Sequence, residues 1–222
     1  MSDMSDDDCC AVDKELIRSP GYRRALWIVV GLNVAYGLVE IVGGFLANSQ
    51  ALKADALDFL GDGSITFLGL LAIGWSIAWR ARSALMQGLF LGLLGAWVLG
   101  STLIRLFNDS PVEAGLMGVF AFVALIVNVA AVIPLLPYRD GDANIRAVWL
   151  FSRNDAIGNV AVLFAAGLVA LSGSPLPDLI VALLIAGLFL HSAWNIVDRA
   201  RKDLRAANAA EQTPKGEGGR SE

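Results

Sequence analysis

The chain has 222 residues, of which 56% are hydrophobic and 17% charged, and a mean hydropathy of +0.61. Soluble domains carry about 45–50% apolar and about 25% charged residues, so the composition excludes a soluble globular domain and points to an integral membrane protein without a second domain. The net charge of −4 carries little meaning, because the charges are unevenly placed, and no nucleic acid partner is expected.

Residues 1–24 read as a polar, acidic N-terminal tail containing Asp6, Asp7, Asp8, Cys9 and Cys10. A basic stretch followed by an apolar core is missing, so the tail does not read as a signal peptide. Adjacent cysteines imply no disulfide framework. Thiolates favour soft metals, so Cys9 and Cys10 could capture one; incidental thiols and acylation are the other readings.

Residues 25–198 hold six apolar stretches, Ala25–Leu46, Ala54–Trp79, Ala84–Leu106, Val112–Leu136, Ile145–Leu171 and Pro177–Val197. Each is close to the roughly 20 residues a helix needs to cross the hydrocarbon core. The expected fold is therefore all-α, a polytopic membrane protein of six transmembrane helices. Short polar connections separate the stretches, among them Asn48-Ser49, Arg80–Ser83 and Ser172-Gly173-Ser174-Pro175. Residues 199–222 read as a C-terminal tail too short for a soluble domain.

The basic residues set the orientation. Lys14, Arg18, Arg23 and Arg24 precede the first stretch, Arg80 and Arg82 follow the second, Arg139 and Arg146 flank the fourth-to-fifth connection, and Arg199, Arg201, Lys202 and Arg205 follow the sixth. The other side has only Lys53 and Arg105. Both termini are then cytoplasmic. Trp27, Trp79, Trp149 and Trp194 fall at the same cytoplasmic interface, as an aromatic belt does.

Within this apolar background, residues 54–63 read A-D-A-L-D-F-L-G-D-G. Asp55, Asp58 and Asp62 are spaced by three and four and share one helical face. Asp155 stands alone in the fifth stretch. A carboxylate at bilayer depth costs about 2.5–3.5 kcal/mol on insertion scales, so such acids line a hydrophilic path, hold a cation or carry protons. Asp58, Asp62 and Asp155 are read as one intramembrane cation site, their helices running in opposite directions to a similar depth. The alternative is that the acids pair with Arg153 and only hold helices together. Carboxylates forced together cannot all ionise freely, and a divalent cation removes that conflict by displacing protons. Glu40 and Asn128 are expected to be helix-packing hydrogen-bonders. His191, the one histidine of the chain, is expected to lie about 6 Å shallower than Asp155 and to be packed or interfacial rather than a ligand.

The runs from Val39 to Asp62 and from Asn144 to Asp155, with Asn128 and the Pro177–Ile185 run, resemble the cation diffusion facilitator family. The resemblance spans nearly the whole membrane part. It implies a divalent metal cation transporter that exports a transition metal, of the zinc, cobalt, nickel, iron or manganese class, in exchange for protons by alternating access. It further implies a homodimer in the cell's inner (plasma) membrane. The family's first ligand pair falls on Asp58 and Asp62 and its second on Phe151 and Asp155. Phe151 cannot ligate. The resemblance also implies a cytoplasmic domain and a histidine-bearing second-to-third loop, and this sequence has neither. These departures suggest a second reading, a non-transporting metal-binding or regulatory subunit. An enzyme is not expected, because there is no Ser/His or Cys/His pair and no phosphate loop, and no cofactor is implied.

Overall fold

The computed structural model describes residues 19–72, 74–108, 111–138 and 143–212, and within this range the side chains of 137–154, 156 and 208–212 are not described. Among the described residues the chain forms six α-helices. They are α1 (Pro20–Leu46), α2 (Gln50–Leu71), α3 (Ile77–Arg105), α4 (Ala114–Val132), α5 (Ala143–Ser172) and α6 (Leu176–Gln212), with a 3-10 turn at Ile133–Tyr138.

Local chemistry explains the boundaries. Ser19, Ser49 and Ser76 each cap the helix that follows, their hydroxyls accepting from Tyr22 N at 3.3 Å, Leu52 N at 3.1 Å and Trp79 N at 3.4 Å. The third cap moves the expected second-to-third connection. Arg80–Ser83 lies inside α3, and the chain turns earlier, around Gly74, whose φ of +91° only glycine adopts readily. α4 stops at Val132, ahead of Pro134, because the residue before a proline is steered away from helix. α6 continues beyond Val197 to Gln212, carried on by an Asp198–Lys202 ion pair of 2.6 Å one turn apart.

Among the described residues, four helical segments are long and apolar enough to cross a membrane: Pro20–Leu46, Ile77–Arg105, Ala114–Leu136 and Leu176–Ala207. α2 is lowered by Lys53, Asp55, Asp58 and Asp62, the residues that make it of interest. In α5 the shorter segment Ile157–Ser172 is apolar.

α2 packs against all five other helices, while α1 pairs chiefly with α2, α3 with α6, and α4 with α5. Every residue from Gln50 to Leu57 is buried. The approach of α1 to α2 is close enough that a Cβ on Gly63 would stand 2.7 Å from Val34 Cγ2. Around the start of α2 the core is made of small and aliphatic side chains, Ala47, Ala51, Leu52, Met117, Ala121, Val162 and Ala182 among them, all fully buried. Leu38, Phe90, Phe122, Phe164 and Leu188 point outward at more than half exposure, as side chains facing lipid do.

Candidate cation site

α2 brings its three aspartates to the wall of a cavity of about 590 Å³ between α2, α3, α5 and α6. Asp55, Asp58, Asp62 and Asp155 all line it, because the three-and-four spacing on α2 turns one face toward α5. Across the α2–α5 contact lies a second cavity of about 170 Å³, between α1, α2, α4 and α5, bordered by Asn33, Thr66 and Asn128 and again by Asp62 and Asp155. Asp62 and Asp155 therefore stand on the wall shared by two cavities. Asp58 acts on both electrostatically, so three like charges meet at this wall. Asp58, Asp62 and Asp155 are only partly buried. Among the described residues, no group of three His, Cys, Asp or Glu side chains is drawn tightly enough to hold a metal ion. The arrangement is an acid-walled chamber rather than a closed coordination cage.

A third cavity of about 430 Å³ shares Ile65 and Ile196 with the acid chamber and reaches Arg80, Gln87 and Asp203. The opposite end of α2 is filled by the alanine-rich core around Leu52. The chamber thus adjoins a cavity that lies toward Arg80.

His191 and the neighbouring Ser192 line the same chamber as Asp155. The expected difference in depth does not keep His191 out of it, because α6 crosses the chamber along its length, from Val181 to Ile196. Phe151 and Arg153 belong to α5, but their side chains lie outside the described residues, as do Cys9 and Cys10.

Asp55 is buried and has partners of its own. Once the side-chain amide of Asn159 is oriented by its neighbours, its nitrogen donates to both Asp55 oxygens and its oxygen accepts from Asn128 Nδ2 at 2.6 Å. Asn128 is thus the helix-packing hydrogen-bonder expected from the sequence. Beside it the Tyr36 hydroxyl donates to Phe120 O at 2.5 Å, and the Tyr36 ring meets Phe59 edge-on at 5.1 Å.

Sequence reasoning passed over Asp178. It is fully buried at the start of α6 and accepts from Ser49 Oγ at 2.5 Å, Gln50 N at 2.9 Å and Ala51 N at 3.0 Å. It closes the N-terminus of α2, whose free backbone N–H groups favour an anion, and so ties the acid-bearing helix to α6. The Pro-Asp pair at the start of a span was a legible signal of a helix start. That the aspartate serves a different helix was not.

The family model described as "Cation efflux transmembrane domain" matches residues 26–204. "Zinc transporter ZitB" of Escherichia coli (strain K12) is 29% identical over 195 residues, covering 82% of this chain and 62% of the relative. "Cadmium, cobalt and zinc/H(+)-K(+) antiporter" of Bacillus subtilis (strain 168) is 25% identical over 189 residues, 78% of this chain and 60% of the relative. "Metal cation efflux system protein CzcD" of Cupriavidus metallidurans is 27% identical over 188 residues, 78% and 59%. The chain therefore spans only about three-fifths of the length of these relatives.

Proposed function

The chain belongs to the cation diffusion facilitator family, and on that premise we propose that it exports a divalent transition-metal cation in exchange for protons, binding it at Asp58, Asp62 and Asp155. One observation carries the site: Asp58 and Asp62 of α2 and Asp155 of α5, with Asp55 beside them, line a single chamber. A divalent cation entering the chamber displaces protons from these carboxyls and satisfies like charges that otherwise oppose one another. Protons returning to the same carboxyls release it. Alternating access follows if the packed end of α2, around Leu52 and Ala182, opens while the end near Arg80 closes.

The names of the relatives support this reading: a zinc transporter, an antiporter of cadmium, cobalt and zinc, and a metal efflux protein. Zinc heads the substrate class, with cobalt, nickel, iron and manganese beside it, because carboxylate ligands suit harder ions too. No enzymatic step and no cofactor belongs to this reading; the metal is cargo. The basic segments support six spans within 25–198, flanked by tails 1–24 and 199–222, with both termini cytoplasmic in the inner membrane, and the family supports a homodimer. Phe151, one turn before Asp155, favours a second reading, a metal-binding subunit that does not transport.

The test is flux of zinc, cobalt, nickel, manganese and iron into sealed proteoliposomes under an imposed pH gradient. Asp58→Ala, Asp62→Ala and Asp155→Ala should each abolish metal-driven proton movement while still inserting, since removing a carboxylate eases insertion. Undiminished flux in Asp62→Ala refutes the site. Wild-type flux absent for every metal, with binding retained, establishes the second reading.

A further inference from the structure

The third cavity, of about 430 Å³ between α2, α3 and α6, falls in the range of about 300–1,000 Å³ that small-molecule sites occupy. Its walls divide into an apolar floor and a polar mouth. Ile65 and Leu68 of α2 and Ile196 of α6 line the floor. Arg80, Ser83 and Gln87 line the cavity from α3, spaced by three and four and therefore on one face. Asp203 lines it from α6, two turns beyond Ile196 on the same face. α3 and α6 run antiparallel in close contact: a Cβ on Gly88 would stand 3.0 Å from Ile196 Cγ2, and one on Gly95 3.0 Å from Leu190 Cδ2. That register puts Gln87 beside Ile196 at the floor and Asp203 level with the turn from Arg80 to Ser83 at the mouth.

The mouth carries charges of both signs. Arg80 and Asp203 are exposed, and neither has an ion-pair partner among the described residues, whereas the neighbouring Lys202 pairs with Asp198 at 2.6 Å. At the floor, Gln87 Nε2 is buried and donates to nothing among the described residues, a state that buried donors leave by taking an acceptor from outside. Trp79, next to Arg80 in the chain, is 61% exposed and carries the Arg82 guanidinium 5.6 Å from its ring centre, a pairing suited to the level of lipid headgroups. A divalent cation meets the Arg80 charge here, and a free phosphate leaves Asp203 and the apolar floor unmatched. A zwitterionic glycerophospholipid with a primary amine matches every wall. We propose that the cavity binds one phosphatidylethanolamine molecule. Its phosphate takes Arg80 and Ser83, its ammonium takes Asp203, an ester carbonyl oxygen accepts from Gln87 Nε2, and an acyl chain lies along Ile65, Leu68 and Ile196. The lipid fills the space that adjoins the acid chamber at Ile65 and Ile196, so lipid occupancy and an open path through that end exclude each other. The inference rests on this groove and does not depend on the transport reading.

The test is native mass spectrometry of the full chain released from mild detergent with a chelator present. The chain is titrated with phosphatidylethanolamine, phosphatidylglycerol or phosphatidylcholine of matched acyl chains. The wild type should retain one phosphatidylethanolamine at a concentration about tenfold below that needed for either other lipid, the advantage of one charge-assisted hydrogen bond. Asp203→Asn should erase that preference while phosphatidylglycerol binding holds or tightens. Arg80→Gln should weaken all three by about tenfold, because each carries the phosphate. Ile196→Trp, which fills the floor without touching a charge, should remove retention of every lipid. Circular dichroism of each variant, with helix content unchanged, keeps a folding defect from imitating these results. Equal retention of the three lipids by the wild type, or a phosphatidylethanolamine preference that survives Asp203→Asn, overturns the inference. So does a shift between one-chain and two-chain ions in the variants with lipid retention unchanged, which makes the groove a contact between copies of the chain. Because no metal is present and no transport is measured, failure here leaves the proposed export untouched, and failure of export leaves this site untouched.

Discussion

Replacing Asp178 by alanine strips the N-terminus of α2 of its buried anion. Three donors lose their acceptor at once: the Ser49 hydroxyl and the Gln50 and Ala51 N–H groups, at 2.5, 2.9 and 3.0 Å. Asp178, Ser49 and Ala51 are all fully buried, so bulk solvent does not reach these donors directly. Hydrogen bonds to a charged group contribute about 1.5–3 kcal/mol each, and an anion at a helix N-terminus up to about 2 kcal/mol in a partly buried setting. Against this stands relief from the desolvation of the carboxylate, several kcal/mol. The net loss is about 3–5 kcal/mol, the range for removing one partner of a buried charged interaction. Asp178→Asn keeps one acceptor oxygen and should lose about half as much. Six tryptophans make unfolding in mixed detergent micelles easy to follow by fluorescence. A loss under about 1 kcal/mol for Asp178→Ala, or equal losses for the alanine and asparagine variants, refutes the clamp.

Other outcomes follow from the same geometry. Phe151→His should tighten zinc binding more than manganese binding, measured by competition titration, because it offers a nitrogen ligand one turn before Asp155. Metal binding should strengthen as pH rises, by roughly tenfold per pH unit for each proton displaced, because the carboxyls must shed hydrogens before they ligate; a pH-independent dissociation constant rules out proton exchange at the site. Reporter fusions after Val197 and within the 172–176 connection should report opposite sides of the membrane.

Much of the fold was legible because lipid imposes a simple rule: a spanning segment must bury its own backbone hydrogen bonds and show an apolar surface. That rule marked all six helices, including α2 and α5, which carry the acids. It misplaced their ends. Arg80–Ser83 reads as a polar loop, yet Ser76 caps α3 ahead of it and Gly74 supplies the turn, so local capping outweighed charge. The shared face of Asp55, Asp58 and Asp62 was equally legible, since spacing alone determines it.

What spacing leaves open is what each face meets. The three aspartates of one stripe all line the chamber with Asp155, and Asp55 is in addition held by the amide of Asn159, more than a hundred residues further along the chain. His191 enters the chamber because α6 crosses it lengthwise, and Asp178 caps a helix 128 residues upstream. The sequence by itself determined that this is a membrane-embedded helical protein with misplaced carboxylates, because hydropathy and helical period are local properties. Only the tertiary structure decided which carboxylates stand together and which stand with amides, because helix packing alone brings distant side chains into one dry interior where every unpaired charge must find a partner.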